Sequence, residues 1–127
     1  MSLMNINFVI ASENPKELSG FYAKINSDKA NQGFNSTHYF ILLSNRSQIH
    51  FYRPNEKHKW ERRGNSTSLC FQSEPSRDPL KTIECWTSEI IKIGGAVVGV
   101  SKLEKFGSEQ WMIDPEGNQF LILVPYL

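Results

Sequence analysis

The sequence predicts an α+β fold in which the order strand, helix, three strands occurs twice within 127 residues. Three observations predict it. An alternating apolar strand near the start runs into an Asn-Pro break and an amphipathic helix. The same succession returns in the second half. The chain then closes on a Pro- and Gly-containing turn between two apolar runs.

Residues 5–10 set Ile6, Phe8 and Ile10 on one side and Asn5, Asn7 and Val9 on the other, the period of a strand with one strongly apolar face. Asn14 and Pro15 break it, Asn14 as N-cap and Pro15 as first helical residue. Leu18, Phe21, Tyr22 and Ile25 then fall on one helical stripe that ends near Asn26. A short strand with a weak pattern is expected around 29–34. Stronger strands follow at 38–43 and 48–52, joined by the polar turn Ser44-Asn45-Arg46-Ser47.

The second half opens with a strand at 67–72 and a break at 75–79, where Asp78 precedes Pro79 as cap. Leu80, Ile83, Thr87, Ile90 and Ile91 form a second helical stripe, stopped by Gly94-Gly95. Strands are expected at 96–100, 110–113 and 119–124. The last two flank Asp114-Pro115-Glu116-Gly117-Asn118, where Pro presets φ and Gly accepts a positive φ.

One domain spanning 4–127 follows, with a first module at 4–54, a linker at 55–65 and a second module at 66–127. Met1, Ser2 and Leu3 precede a second methionine and read as an expression scar. With 14 basic and 13 acidic residues the formal charge is +1, which argues against a polyanion binder working by bulk electrostatics. No apolar run approaches the roughly 20 residues a bilayer span needs, and no export signal is visible, so a cytoplasmic protein is expected. Cys70 and Cys85 are too few for a disulfide framework and are expected to be reduced, small buried apolar groups. No phosphate-cradling glycine loop and no nucleophile elbow is present.

The opening Asn7-Phe8-Val9-Ile10 leading to Asn14, with Phe21-Tyr22 on the first helix, resembles the start of the glyoxalase/bleomycin-resistance/dioxygenase domains, the vicinal oxygen chelate superfamily. The closing run from Trp111 to Phe120 resembles the final hairpin of its glyoxalase-like subgroup. The resemblance implies two βαβββ modules side by side, their sheets curling into a partly open barrel around a cleft, with helices on the outer faces. It also implies a homodimer.

Enzymes of that superfamily hold a divalent metal on the first and last strand of each module. Carried onto this chain, those positions are Asn7, His50, Ser68 and Leu121. Only His50 is a conventional ligand and Leu121 has no lone pair, so no metal, cofactor or catalytic residue is expected. The expected function is metal-free binding of a small organic ligand in the cleft between the modules. The residues assigned to it are His50, Asn7, Gln48, Tyr52 and Ser68, with Trp60 stacking on a ring and Arg62 pairing an anion from the linker. Phe40 and Trp111 are further candidate walls, although Trp111 and Trp86 read better as core. The alternative is a metal-dependent lyase, isomerase or dioxygenase with His50 as its surviving ligand. His38 and His58 share no spacing with a second strong ligand and read as surface or core histidines. Nucleic acid and membrane are not expected partners.

Overall fold

The computed structural model describes residues 6–56 and 67–127, and the chain divides into two compact units, 1–62 and 63–127. The first unit contains β1 (Phe8–Ala11), α1 (Pro15–Ile25), β2 (Asn31–Gln32), β3 (His38–Leu42) and β4 (Gln48–Tyr52). Its sheet has the order β1-β4-β3-β2, with β1 parallel to β4 and the other pairs antiparallel. The crossover through α1 is what makes the β1–β4 pair parallel. Asn14 caps the helix as its composition predicts. Its Oδ1 accepts from the Glu17 N–H at 3.2 Å, while its Nδ2 donates to Glu17 Oε2 at 3.1 Å.

α1 lies over β3 and β4 of its own sheet. Leu18, Phe21 and Tyr22 are buried with Ile41, Ile49 and Phe51. The Tyr22 ring stacks on Phe51 at 5.8 Å between centroids and meets Phe21 edge-on at 5.1 Å. Strand parity decides the opposite face. Register sets Val9 beside His50 and Phe40 beside His50, so Val9, His38, Phe40, Leu42, Gln48, His50 and Tyr52 look away from the helix.

The second unit repeats the order with β5 (Leu69–Gln72), α2 (Pro79–Lys92), β6 (Ala96–Glu104), β7 (Gly107–Ile113) and β8 (Gln119–Pro125). Its sheet runs β5-β8-β7-β6, with β5 parallel to β8. Ile83 and Ile90 of α2 are buried against Met112, Phe120, Ile122 and Val124. The Asp114 turn forms as expected: its backbone pairs with Asn118, and its carboxylate accepts from the backbone N–H groups of Glu116 and Asn118, both at 2.9 Å. Neither sheet closes on itself; each keeps two edge strands.

Several expectations are corrected. Ile6 precedes β1 and is 66% exposed, and Phe8 is 36% exposed. β1 is an edge strand, and α1 covers β3 and β4 instead, so the apolar face read from residues 5–10 is only partly roofed. Asn5 lies outside the described residues. β5 starts at Leu69, two residues later than the alternation predicts.

The largest difference is the β6–β7 hairpin, which extends to Glu104 and restarts at Gly107. Charged Lys102, Glu104 and Glu109 mask the alternation there. A register shift between Val98 and Lys102 breaks it further. The buried Gln110 holds that bulge. Its Nε2 donates to the carbonyls of Trp111 at 2.9 Å and Val98 at 3.2 Å, and its Oε1 accepts from Ser101 Oγ at 2.7 Å. Gly107, at φ 144°, lets the start of β7 approach β8, where a Cβ would run into the Val124 carbonyl.

Cys70 and Cys85 are both exposed, contrary to the buried reading. Cys70 points to the helix-free side of its sheet beside Leu121, and Cys85 lies on the outer side of α2. Trp111 is likewise no core residue. It is 38% exposed on the helix-free face, in register with Leu121 and Val98. Trp86 is half-buried.

Candidate functional site

The helix-free face of the first sheet carries an open hollow of about 920 Å³. β3 and β4 form its floor through His38, His50 and Tyr52, β1 adds Val9, Asn7 just before it adds its amide, and the β2–β3 loop adds Phe34. That loop is pinned at several points. The Gly33 N–H donates to the His38 carbonyl at 2.7 Å, and Asn35 Oδ1 accepts from Thr37 N–H and Oγ1 at 2.9 and 2.8 Å. Gly33 is required here, because a Cβ would collide with the His38 ring.

The two histidines form a directional hydrogen-bond relay. The Phe34 backbone N–H donates to His38 Nδ1 at 3.0 Å, so that nitrogen carries no proton. The His38 proton therefore sits on Nε2, which lies 2.8 Å from His50 Nδ1 and donates to it. His50 in turn holds its proton on Nε2 and donates to Gln48 Oε1 at 2.7 Å. A backbone amide cannot reverse its role, so the whole chain runs one way and needs both imidazoles neutral. Burial first, and the neighbouring His38 second, hold the His50 pKa below its ordinary value of 6.5, in keeping with that requirement.

The same rings stack. Phe34 lies on His38 at 5.4 Å and 16°, His38 on His50 at 5.1 Å and 20°, and His50 on Phe40 at 5.5 Å and 22°. Four rings thus form a ladder across the face, and its terminal Phe34 is 95% exposed.

Of the residues expected to bind ligand, Asn7, His50 and Tyr52 line the hollow. Gln48 stands behind His50 as its acceptor, and its backbone N–H donates to Asn7 Oδ1 at 2.9 Å, tying β4 to the start of the edge strand. Ser68 belongs to the second unit, is exposed just before β5, and does not line this hollow. Trp60 and Arg62, like His58, lie outside the described residues. The sequence reading missed His38, Phe34 and Arg53, which also line the hollow. The turn read at 44–47 hid His38, because centred there it would pair 40 with 51 and put 38 and 50 on opposite faces. The loop is one residue shorter, closed by the Leu43 N–H on the Ser47 carbonyl, so 40 pairs with 50 and 38 is the diagonal neighbour on the same face.

Solved structures match this architecture over nearly the whole chain. A glyoxalase/bleomycin resistance protein/dioxygenase family enzyme from Burkholderia phytofirmans PsJN superposes with a TM-score of 0.73 at 16% identity, covering 91% of this chain and 94% of that one. A glyoxalase/bleomycin resistance protein from Albidiferax ferrireducens T118 gives 0.68 at 16% identity, covering 93% and 95%. The lactoylglutathione lyase from Agrobacterium tumefaciens gives 0.62 at 12% identity, covering 98% and 94%. The fold is that of the glyoxalase/bleomycin-resistance/dioxygenase superfamily. No protein-family model and no curated protein matches the sequence. At these identities the likeness is one of fold, shared by proteins named for a lyase and for drug resistance alike.

The divalent metal that the sequence resemblance implies finds a poor donor set here. Leu121 offers no electron pair. Asn7 Oδ1 already accepts from Gln48, and both nitrogens of His50 are engaged in the relay. Among the described residues, no group of three His, Cys, Asp or Glu side chains is placed to share an ion. These residues do not fit a transition-metal centre.

Proposed function

We propose that the chain binds a small organic molecule in the hollow over β3 and β4, without a metal. One observation carries the reading: the floor of the hollow is a neutral, internally satisfied histidine relay, stacked among aromatic rings. Such a floor presents ring edges to a ligand and, at its Phe34 end, an exposed aromatic side chain. It spares no imidazole lone pair for an ion or for proton abstraction. A hollow of about 920 Å³ that sets Asn7, Asn35, Thr37, Tyr52 and Arg53 around the ring ladder can seat a compact organic ligand and hold it by polar contacts at its rim.

The superfamily resemblance extends the proposal to a homodimer. β6, an edge strand exposing Val97, Val100 and Leu103, supplies apolar surface for pairing.

The test is a thermal-shift screen of organic compounds on chelator-treated protein. A ligand present at about 100 times its Kd stabilises the fold by about 2.7 kcal/mol, and the shift should shrink in His50→Ala. Purified protein carrying stoichiometric zinc, nickel, iron or manganese, or stabilised only when metal is restored, contradicts the reading.

A further inference from the structure

We propose that the hollow takes a flat aromatic ring bearing an anionic group, with the ring laid on Phe34 and the anion held by Arg53. This rests on the reading of the hollow as the ligand site and names the class of ligand.

The first argument is the ladder. Each inner ring has a ring neighbour on either side, His38 between Phe34 and His50, and His50 between His38 and Phe40. Phe34 has one neighbour in the stack and is otherwise open to solvent at 95% exposure. An aromatic side chain displayed in this way leaves a large apolar area in water, and a planar guest covers it by continuing the stack. The platform is preorganised. The Phe34 N–H is fixed by His38, and the loop on either side is held by Gly33 and by the Asn35–Thr37 turn. Little loop entropy remains to be lost on binding.

The second argument is charge. Among the described residues lining the hollow, Arg53 carries the one permanent charge, and no carboxylate lines the site. Arg53 directly follows β4, and its N–H donates to the Thr37 carbonyl at 3.2 Å, which places it at the end of the pinned loop. A cationic ligand would meet this guanidinium unopposed. A carboxylate or similar anion gains a charge-assisted contact there.

Three probes separate the components: 2-naphthoate, its neutral carboxamide, and cyclohexanecarboxylate. Each is titrated into the protein while the imidazole resonances of His38 and His50 report occupancy of the hollow. 2-Naphthoate should bind tightest, with the carboxamide and the non-aromatic acid each weaker by roughly five- to tenfold. Phe34→Ser should weaken both naphthalene probes alike. Arg53→Gln should weaken 2-naphthoate to the level of the carboxamide and leave the carboxamide unchanged.

Equal affinities for the three probes, equal losses for both naphthalenes in Arg53→Gln, or binding that leaves the imidazole signals unmoved overturns the proposal. If these probes fail while a cationic or non-aromatic compound moves the same signals, the ligand class is wrong and the hollow remains the site. If no compound moves them, both readings fall.

Discussion

His38 Nε2 and His50 Nδ1 lie 2.8 Å apart, and the proton between them belongs to His38. The assignment follows from the far end of the chain, where the Phe34 N–H occupies His38 Nδ1. Protonating His38 would turn a second N–H toward that amide. Protonating His50 would turn one toward His38 Nε2. Either event replaces a hydrogen bond with two opposed donors, so the relay is a device that works only in the neutral state.

Stability should therefore fall in mild acid. His50 has a lowered pKa in the folded chain, so between that value and the ordinary 6.5 the unfolded chain binds more protons. The contribution is fully present above about 6.5 and is lost as pH drops through the folded value. Denaturant unfolding across this window should show the decline in the parent protein and a flatter profile in His50→Gln.

The two cysteines should be alkylated in the native protein, because both are exposed. Cys70 should react more slowly than Cys85, since burial first and the Glu109 carboxylate second push the Cys70 thiol pKa up and deplete its thiolate. Mass spectrometry after timed iodoacetamide labelling gives the order. Comparable rates at the two positions contradict it.

Gln110→Leu should destabilise the second unit by about 1–3 kcal/mol, because the amide's partners in the β6 bulge lose their hydrogen bonds. A lower denaturant midpoint with an unchanged slope is the expected result. A neutral substitution would mean that the bulge holds without it.

Much of the fold was legible because its punctuation is local. Asn14-Pro15, Asp78-Pro79 and the Asp114–Asn118 turn act through atoms within four residues of each other, and each forms as its composition predicts. Gln48 as the partner of His50 was equally legible, lying two residues away on the same face. What stayed hidden depends on distant pairing. His38 meets His50 only through hairpin register. The exposure of Ile6, Cys70 and Trp111 depends on which strands the helices cover, and Gln110 reads as an ordinary strand residue until the bulge beside it is seen.

The most direct test of the account is a long-range proton–nitrogen correlation spectrum of the imidazoles, recorded well above the imidazole pKa range before and after one equivalent of zinc. Both His38 and His50 should show the Nε2–H tautomer, unchanged by the metal. A ring in the Nδ1–H tautomer, or a His50 nitrogen that moves to a metal-bound position when zinc is added, contradicts it.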